Sequence, residues 1–178
     1  MLNKTIEKAL NEQIQKEIYS AYLYLAMSAD CTDKGYEGFA KWFMIQYHEE
    51  MFHAMKIYNY IFDQDGKAVL MQIDQPKVNA AGPEDLFKTT LEHEKTVTAS
   101  IHHLVDLARQ EHDHATEIFL QWYVTEQVEE EKNATDILTK FKVLGGQQTG
   151  PGVYMLDQEL GSRVLGVQVD FTQPLAAE

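Results

Sequence analysis

One cysteine, Cys31, stands in a chain of 178 residues, so no internal disulfide and no thiolate-rich zinc or iron–sulfur site is available. That scarcity fits a reducing cytoplasm. Basic side chains are also few: 15 Lys and Arg against 28 Asp and Glu give a formal charge of -13. Such a balance argues against nucleic acid or an anionic membrane as a partner and favours cations. No apolar run approaches the roughly 20 residues that cross a bilayer. The opening Met1-Leu2-Asn3-Lys4-Thr5-Ile6-Glu7 lacks the apolar core of a signal peptide. A soluble, cytoplasmic protein is therefore expected. Internal repeats, low-complexity tracts and strand-like alternation are missing as well, which leaves an all-α class.

What is present is 44% hydrophobic residues, enough for one domain with a sizeable core. Asn3 or Thr5 is placed to cap a first helix running to about Thr32, with Ile6, Leu10, Ile14, Ala21 and Leu25 near helical spacing and Glu17 interrupting the stripe. After Asp33-Lys34-Gly35 a second helix spans about Glu37 to Phe62. A long connection over 63–83 leads to a third helix opened by Gly82-Pro83-Glu84 and running to about Glu111. A break at His112-Asp113-His114 precedes a fourth helix to Leu144, and Pro151 allows a short fifth near Val153 to Arg163. Residues 166–178 read as a coil tail. A short turn would join antiparallel second and third helices, whereas about 20 residues reach the length of a bundle at up to 3.3 Å each. A four-helix bundle with a long crossover between helices 2 and 3 is favoured.

The second helix carries His48-Glu49-Glu50-Met51-Phe52-His53. Glu50 and His53 lie three apart and so share a helix face, the one continued by Phe39, Phe43, Ile57 and Tyr60. A carboxylate among apolar neighbours needs a partner or a metal. Counting from the turns brings companions to the same height. Glu17 is 18 residues before Gly35 and His53 is 18 after it; Glu94 is 19 before Asp113 and Glu130 is 17 after it. Each long helix thus supplies a carboxylate at mid-length, with Gln127 beside Glu130. Taken singly, Glu17 and Glu94 are the kind of acids usually found on a wet helix edge, and His53 the kind usually found as a hydrogen-bonded core histidine. Their shared level and inward orientation outline a dinuclear metal site. Oxygen-rich ligation with one imidazole suits iron or manganese, with zinc still open, and Glu50 is the natural bridge between two cations. Tyr24 falls two turns from Glu17 on the same face, where its hydroxyl would bond a ligand carboxylate or donate an electron. His112 and His114 read as an exposed turn.

The set Glu17, Tyr24, Glu49 to His53, Glu94 and Glu126 to Glu130 resembles the non-haem ferritins of prokaryotes, and the resemblance runs from Leu2 to about Arg163. It implies a ferritin-like di-iron domain over 1–165. It further implies a ferroxidase centre with one iron on Glu17, Glu50 and His53 and a second on Glu50, Glu94 and Glu130, with Gln127 close by. A third site would use Glu49, Glu126 and Glu129. Fe(II) would be oxidised by O2 or H2O2 and stored as ferric oxide inside a homo-oligomeric shell of about 24 subunits. Bacterioferritins carry a second Glu-x-x-His motif on the fourth helix; Gln127 and Glu130 stand there instead. Met51 occupies the position of that branch's haem-ligating methionine, and haem is not expected here. The threefold-pore acids of animal ferritins match Glu117 and Leu120, so a strongly acidic pore is not expected either. A rubrerythrin-like peroxidase, the main competing reading, lacks its four-cysteine iron domain, and a metal-free interaction bundle leaves the buried acids unexplained.

Overall fold

The computed structural model describes residues 2–146 and 148–166. It contains α1 (Lys4–Asp33), α2 (Glu37–Asp63), α3 (Pro83–Gln110), α4 (His114–Val143) and α5 (Pro151–Leu160), with no strand among the described residues. The first four bounds fall within a residue or so of the sequence reading. The fifth differs: Pro151 itself starts α5, and the chain leaves the helix at Gly161, short of Arg163. Residues 167–178, read as coil, lie outside the described residues. Among the described residues no helix is long and apolar enough to cross a membrane.

Local chemistry sets the helix ends. Asn3 caps α1 by accepting from the Thr5 N–H at 2.8 Å. All four long helices close with the same pair of backbone bonds, in which the second residue past the cap reaches back five positions. At α1 these are Gly35 N to Thr32 O (3.1 Å) and Tyr36 N to Cys31 O (2.9 Å). The left-handed residue of this motif is Gly35 after α1 and Gly145 after α4, but Asp65 after α2 and His112 after α3.

The bonds between helices give the topology. Leu2 N meets Gln64 O at one end of α1, and Ser28 Oγ meets Ala40 O near the other, so α1 and α2 are antiparallel. Arg109 to Glu117 beside the turn and Thr98 to Glu131 further along pair α3 with α4 in the same sense. Phe87, near the start of α3, lies 5.0 Å from both Trp42 and Phe43 near the start of α2. The two helices joined by the crossover therefore run parallel, the arrangement its length favoured. Asn11, buried on α1, pins that crossover: its amide donates to Lys67 O at 3.0 Å and accepts from Val69 N at 2.6 Å.

The core falls into two parts. An aromatic cluster with Met27, Phe39, Phe43, Phe87, Phe141, Val153 and Leu156 fills one end, and an aliphatic cluster with Leu10, Ile14, Ile57, Ile61, Ile101, Leu104 and Leu120 fills the other. Leu25 is only half-buried; Leu23 and Met27 take the core positions on that turn. Between the two clusters lies a layer of buried Glu, Gln and His.

Helix α5 seals the aromatic end. Its buried Asp157 accepts from Phe39 N at 2.8 Å, a carboxylate at the start of α2 where the helix dipole favours negative charge. Gly38 permits this approach, since a Cβ there would stand 1.7 Å from Asp157 O. Gly38→Ala is expected to undock α5 and lower stability by about 2 kcal/mol. Denaturant unfolding, together with faster protease cleavage between α4 and α5, checks this.

Candidate metal centre

The layer between the two clusters is built from helix faces. Glu50 and His53 project inward from α2, and His53 Nδ1 lies 3.4 Å from Glu50 Oε2. Glu17 reaches the same point from α1, and one ligand atom from each of Glu17, Glu50 and His53 lies within 4.8 Å of the others. All three are at most 3% exposed. Glu94 (0%), Glu130 (5%) and Gln127 (4%) share the layer from α3 and α4. Among the described residues no other three such ligand atoms close up as tightly, and Glu94 and Glu130 are each held by a neighbour.

Tyr24 donates its hydroxyl to Glu94 Oε1, so it does bond a carboxylate of the layer, and that carboxylate is Glu94. Gln127 Nε2 donates to Glu94 Oε2 at 3.1 Å and to its backbone carbonyl at 3.3 Å. Gln46 Nε2 donates to Glu130 Oε2 at 2.8 Å. Gln13 Nε2 donates to Glu17 Oε1 at 2.8 Å. The remaining oxygen of Glu17, Oε2, is buried without a hydrogen-bond partner, and so is Glu50 Oε2. Buried polar atoms are rarely left so.

Electrostatics tells the same story. Burial first, then the charges of Glu94, Glu17 and Glu130, hold the Glu50 carboxyl well above its ordinary range. Burial pushes Glu94 up to about 7 against the pull of its Tyr24 and Gln127 hydrogen bonds. Burial and the Glu94 charge push Glu130 up to about 8. A divalent cation among these groups would replace their protons and remove the repulsion between them.

The three outer acids are less assembled. Glu49 is half-buried and ion-paired with Arg163 at 2.7 Å, Glu126 is half-buried, and Glu129 is exposed. They are close enough for Glu126 and Glu129 to raise the Glu49 carboxyl, although burial raises it more. Met51 is half-buried beside the layer. Glu117 accepts from Arg109 Nε at 2.7 Å, and Leu120 is fully buried in the aliphatic cluster, so Leu120 offers nothing to a pore lining. His114 is exposed, and His112 serves as the left-handed residue of its turn.

Gln13, Gln46, Thr98, Ser100 and Arg163 escape the sequence reading. A signal existed for two of them: Gln13 and Gln46 each stand four residues before a site glutamate, Glu17 and Glu50, on the buried face. Arg163 had no such signal, because it lies beyond α5.

Comparison with known proteins agrees with this architecture. The profile of the ferritin-like domain family matches residues 7–144. A probable bacterial non-haem ferritin-like protein of Haemophilus influenzae is 40% identical over 162 residues, covering 91% of this chain and 97% of that one. The bacterial non-haem ferritin of Staphylococcus aureus is 39% identical over 163 residues, 92% and 97% of the two chains. Among solved structures, the open pore ferritin of the hyperthermophilic archaeon Archaeoglobus fulgidus superposes with a TM-score of 0.89 at 41% identity, covering 92% of this chain and all of that one. Shared sequence over nearly the whole length, a shared crossover bundle and a carboxylate layer at its middle make this chain a member of the ferritin-like family.

Proposed function

We propose that residues 1–165 form a ferroxidase unit, active in the cytoplasm, that oxidises Fe(II) with O2 or H2O2 and passes Fe(III) to a mineral stored inside a shell of subunits. The observation that carries this reading is the pair of buried, unpartnered oxygens, Glu17 Oε2 and Glu50 Oε2, beside an imidazole. A layer so desolvated and so rich in acid is suited to a pair of divalent cations. Glu17, Glu50 and His53 hold the first iron; Glu50, Glu94 and Glu130 hold the second, with Gln127 fixing Glu94. Glu49, Glu126 and Glu129 form a third, outer position. Iron here is the substrate and the cargo. The relatives named as non-haem ferritins support the same assignment.

Crystals soaked anaerobically with Fe(II) test the ligands directly. Anomalous peaks at the iron edge are expected between Glu17, Glu50 and His53 and between Glu50, Glu94 and Glu130. A map blank at both places, with the protein otherwise ordered, would end the proposal. Tyr24→Phe is expected to leave Zn(II) uptake unchanged while slowing the later phases of iron oxidation roughly 10-fold, because Glu94 keeps Gln127 but loses the donor to Oε1. Stopped-flow absorbance separates the two effects, and loss of uptake would show that Tyr24 has another role.

Assembly into a shell is supported by apolar side chains left on the outside of the bundle. Leu70 (69% exposed), Ile118 (72%) and Met155 (71%) lie on the crossover, α4 and α5. In solution the protein is expected to elute at several hundred kilodaltons, about 24 times its 20.4 kDa chain mass. Elution as a monomer or dimer would separate the iron chemistry from storage.

A further inference from the structure

Arg163 lies in the turn after α5, yet its guanidinium reaches back over the first half of α2. One N–H donates to Glu49 Oε2 at 2.7 Å and another donates to Gln46 Oε1, while the guanidinium carbon lies 4.9 Å from the Trp42 ring centroid. The side chain is 22% exposed, so the pair is largely shielded. A guanidinium only donates. Gln46 must therefore turn its oxygen toward Arg163, which leaves its amide nitrogen for Glu130 Oε2 at 2.8 Å. The result is a continuous chain, Glu49 to Arg163 to Gln46 to Glu130, from an outer acid to an inner one.

The opposite side of the layer shows what is particular about this chain. There Gln13 orients Glu17 in the same way, but its oxygen accepts from the Ser100 hydroxyl at 2.6 Å, with Lys16 bonded behind it. No acid competes for that donor. At Arg163 the donor is a full positive charge already spent on Glu49, one of the acids read as an outer cation position.

We propose that Arg163 is a displaceable counter-cation: it occupies Glu49 in place of a divalent metal and, through Gln46, holds Glu130 until such a metal arrives. The inference rests on the metal-centre reading above. A cation taken up by Glu49 expels the guanidinium. Gln46 Oε1 then loses its donor, the amide is free to turn, and Glu130 Oε2 is released. Filling of the outer position and the ligand geometry of the second inner position are thereby coupled, and the coupling acts in both directions.

Zn(II), which neither oxidises nor reduces here, is the probe. It is titrated calorimetrically into the metal-free full chain, and Trp42 fluorescence is followed in a Trp122→Phe background, where Trp42 is the sole tryptophan. The unaltered chain is expected to bind two equivalents tightly and a third weakly, with only the third disturbing Trp42. Arg163→Gln is expected to tighten the third about 10-fold and abolish the fluorescence step. Arg163→Lys keeps the charge and should keep the third weak; Glu49→Gln should remove it. A third equivalent unchanged in Arg163→Gln, or one that survives Glu49→Gln, overturns the role of Arg163 while leaving the inner pair in place. Absence of any tight pair in the unaltered chain overturns the metal centre and this inference together.

Discussion

Glu50→Ala is expected to slow Fe(II) oxidation by at least about 100-fold while leaving the fold intact. Loss of a residue that merely supports a metal ligand already costs 10–100-fold. Glu50 would be a ligand itself, and the one shared by both cations. Its position supports that role: it lies beside His53 at 3.4 Å and within the fields of Glu94, Glu17 and Glu130, so it faces groups from all the other long helices. The fold should tolerate the change because the removed group has one oxygen with no hydrogen-bond partner, and taking it away relieves repulsion among the neighbouring acids. Stopped-flow absorbance measures the rate, and circular dichroism with elution volume verifies folding. An unchanged rate would place the oxidation elsewhere. Glu130→Ala provides the contrast: one inner cation should remain near its original affinity on Glu17, Glu50 and His53, and only the second should weaken.

The metal-free protein is expected to lose roughly 6 kcal/mol of stability between pH 5 and 8, and loading with Zn(II) should abolish that loss. The sign follows from where the protons sit. In the unfolded chain Glu94 and Glu130 titrate near 4.5, whereas burial raises them to about 7 and about 8 in the folded one. Below about 4.5 both states hold the protons and stability does not change. From there to about 8 the folded state keeps protons that the unfolded state has released, so each rise of one pH unit costs about 1.4 kcal/mol for each proton retained. Between pH 5 and 8 Glu130 contributes over about 2.5 pH units and Glu94 over about 2, which together give the figure above. A bound divalent cation replaces the protons and binds only the folded site, which adds stability and reverses the trend, since metal competes better as protons leave. Urea unfolding at pH 5, 6, 7 and 8, with and without Zn(II), reads both slopes. A flat profile for the metal-free protein would mean that the layer is wetter than its burial indicates.

Much of this centre is legible in the residues because helix register survives counting. Glu17, Glu50, His53, Glu94 and Glu130 could be put at one height from the turns at Gly35 and Asp113, and the structure buries all five in one layer. The crossover was legible for a related reason: chain length limits reach, and residues between Asp63 and Pro83 were too many for a turn. What counting does not reach is rotamer and long-range contact. Gln46 serves Glu130 on another helix, not Glu50 one turn away on its own. Whether Leu120 pointed outward or inward depended on how α4 is rotated, and it points into the aliphatic cluster. Arg163 depended on where the chain goes after α5, and that helix ends early at Leu160. Asn11 drew no reading from the sequence; its purpose becomes visible only when Lys67 and Val69 are laid across it.

The separation of the core into aromatic and aliphatic halves gives the subunit a waist. Each half is packed by its own side chains, and what joins them is helix backbone plus a polar layer whose acids repel one another and are held by Gln13, Tyr24, Gln46 and Gln127. Without a cation the waist is expected to be the more compliant part, with backbone amides near Glu50 and Glu94 exchanging with solvent sooner than those at Phe43 or Ile57 in a hydrogen-exchange measurement. A cation held there would act as a rivet, and the subunit would stiffen on loading.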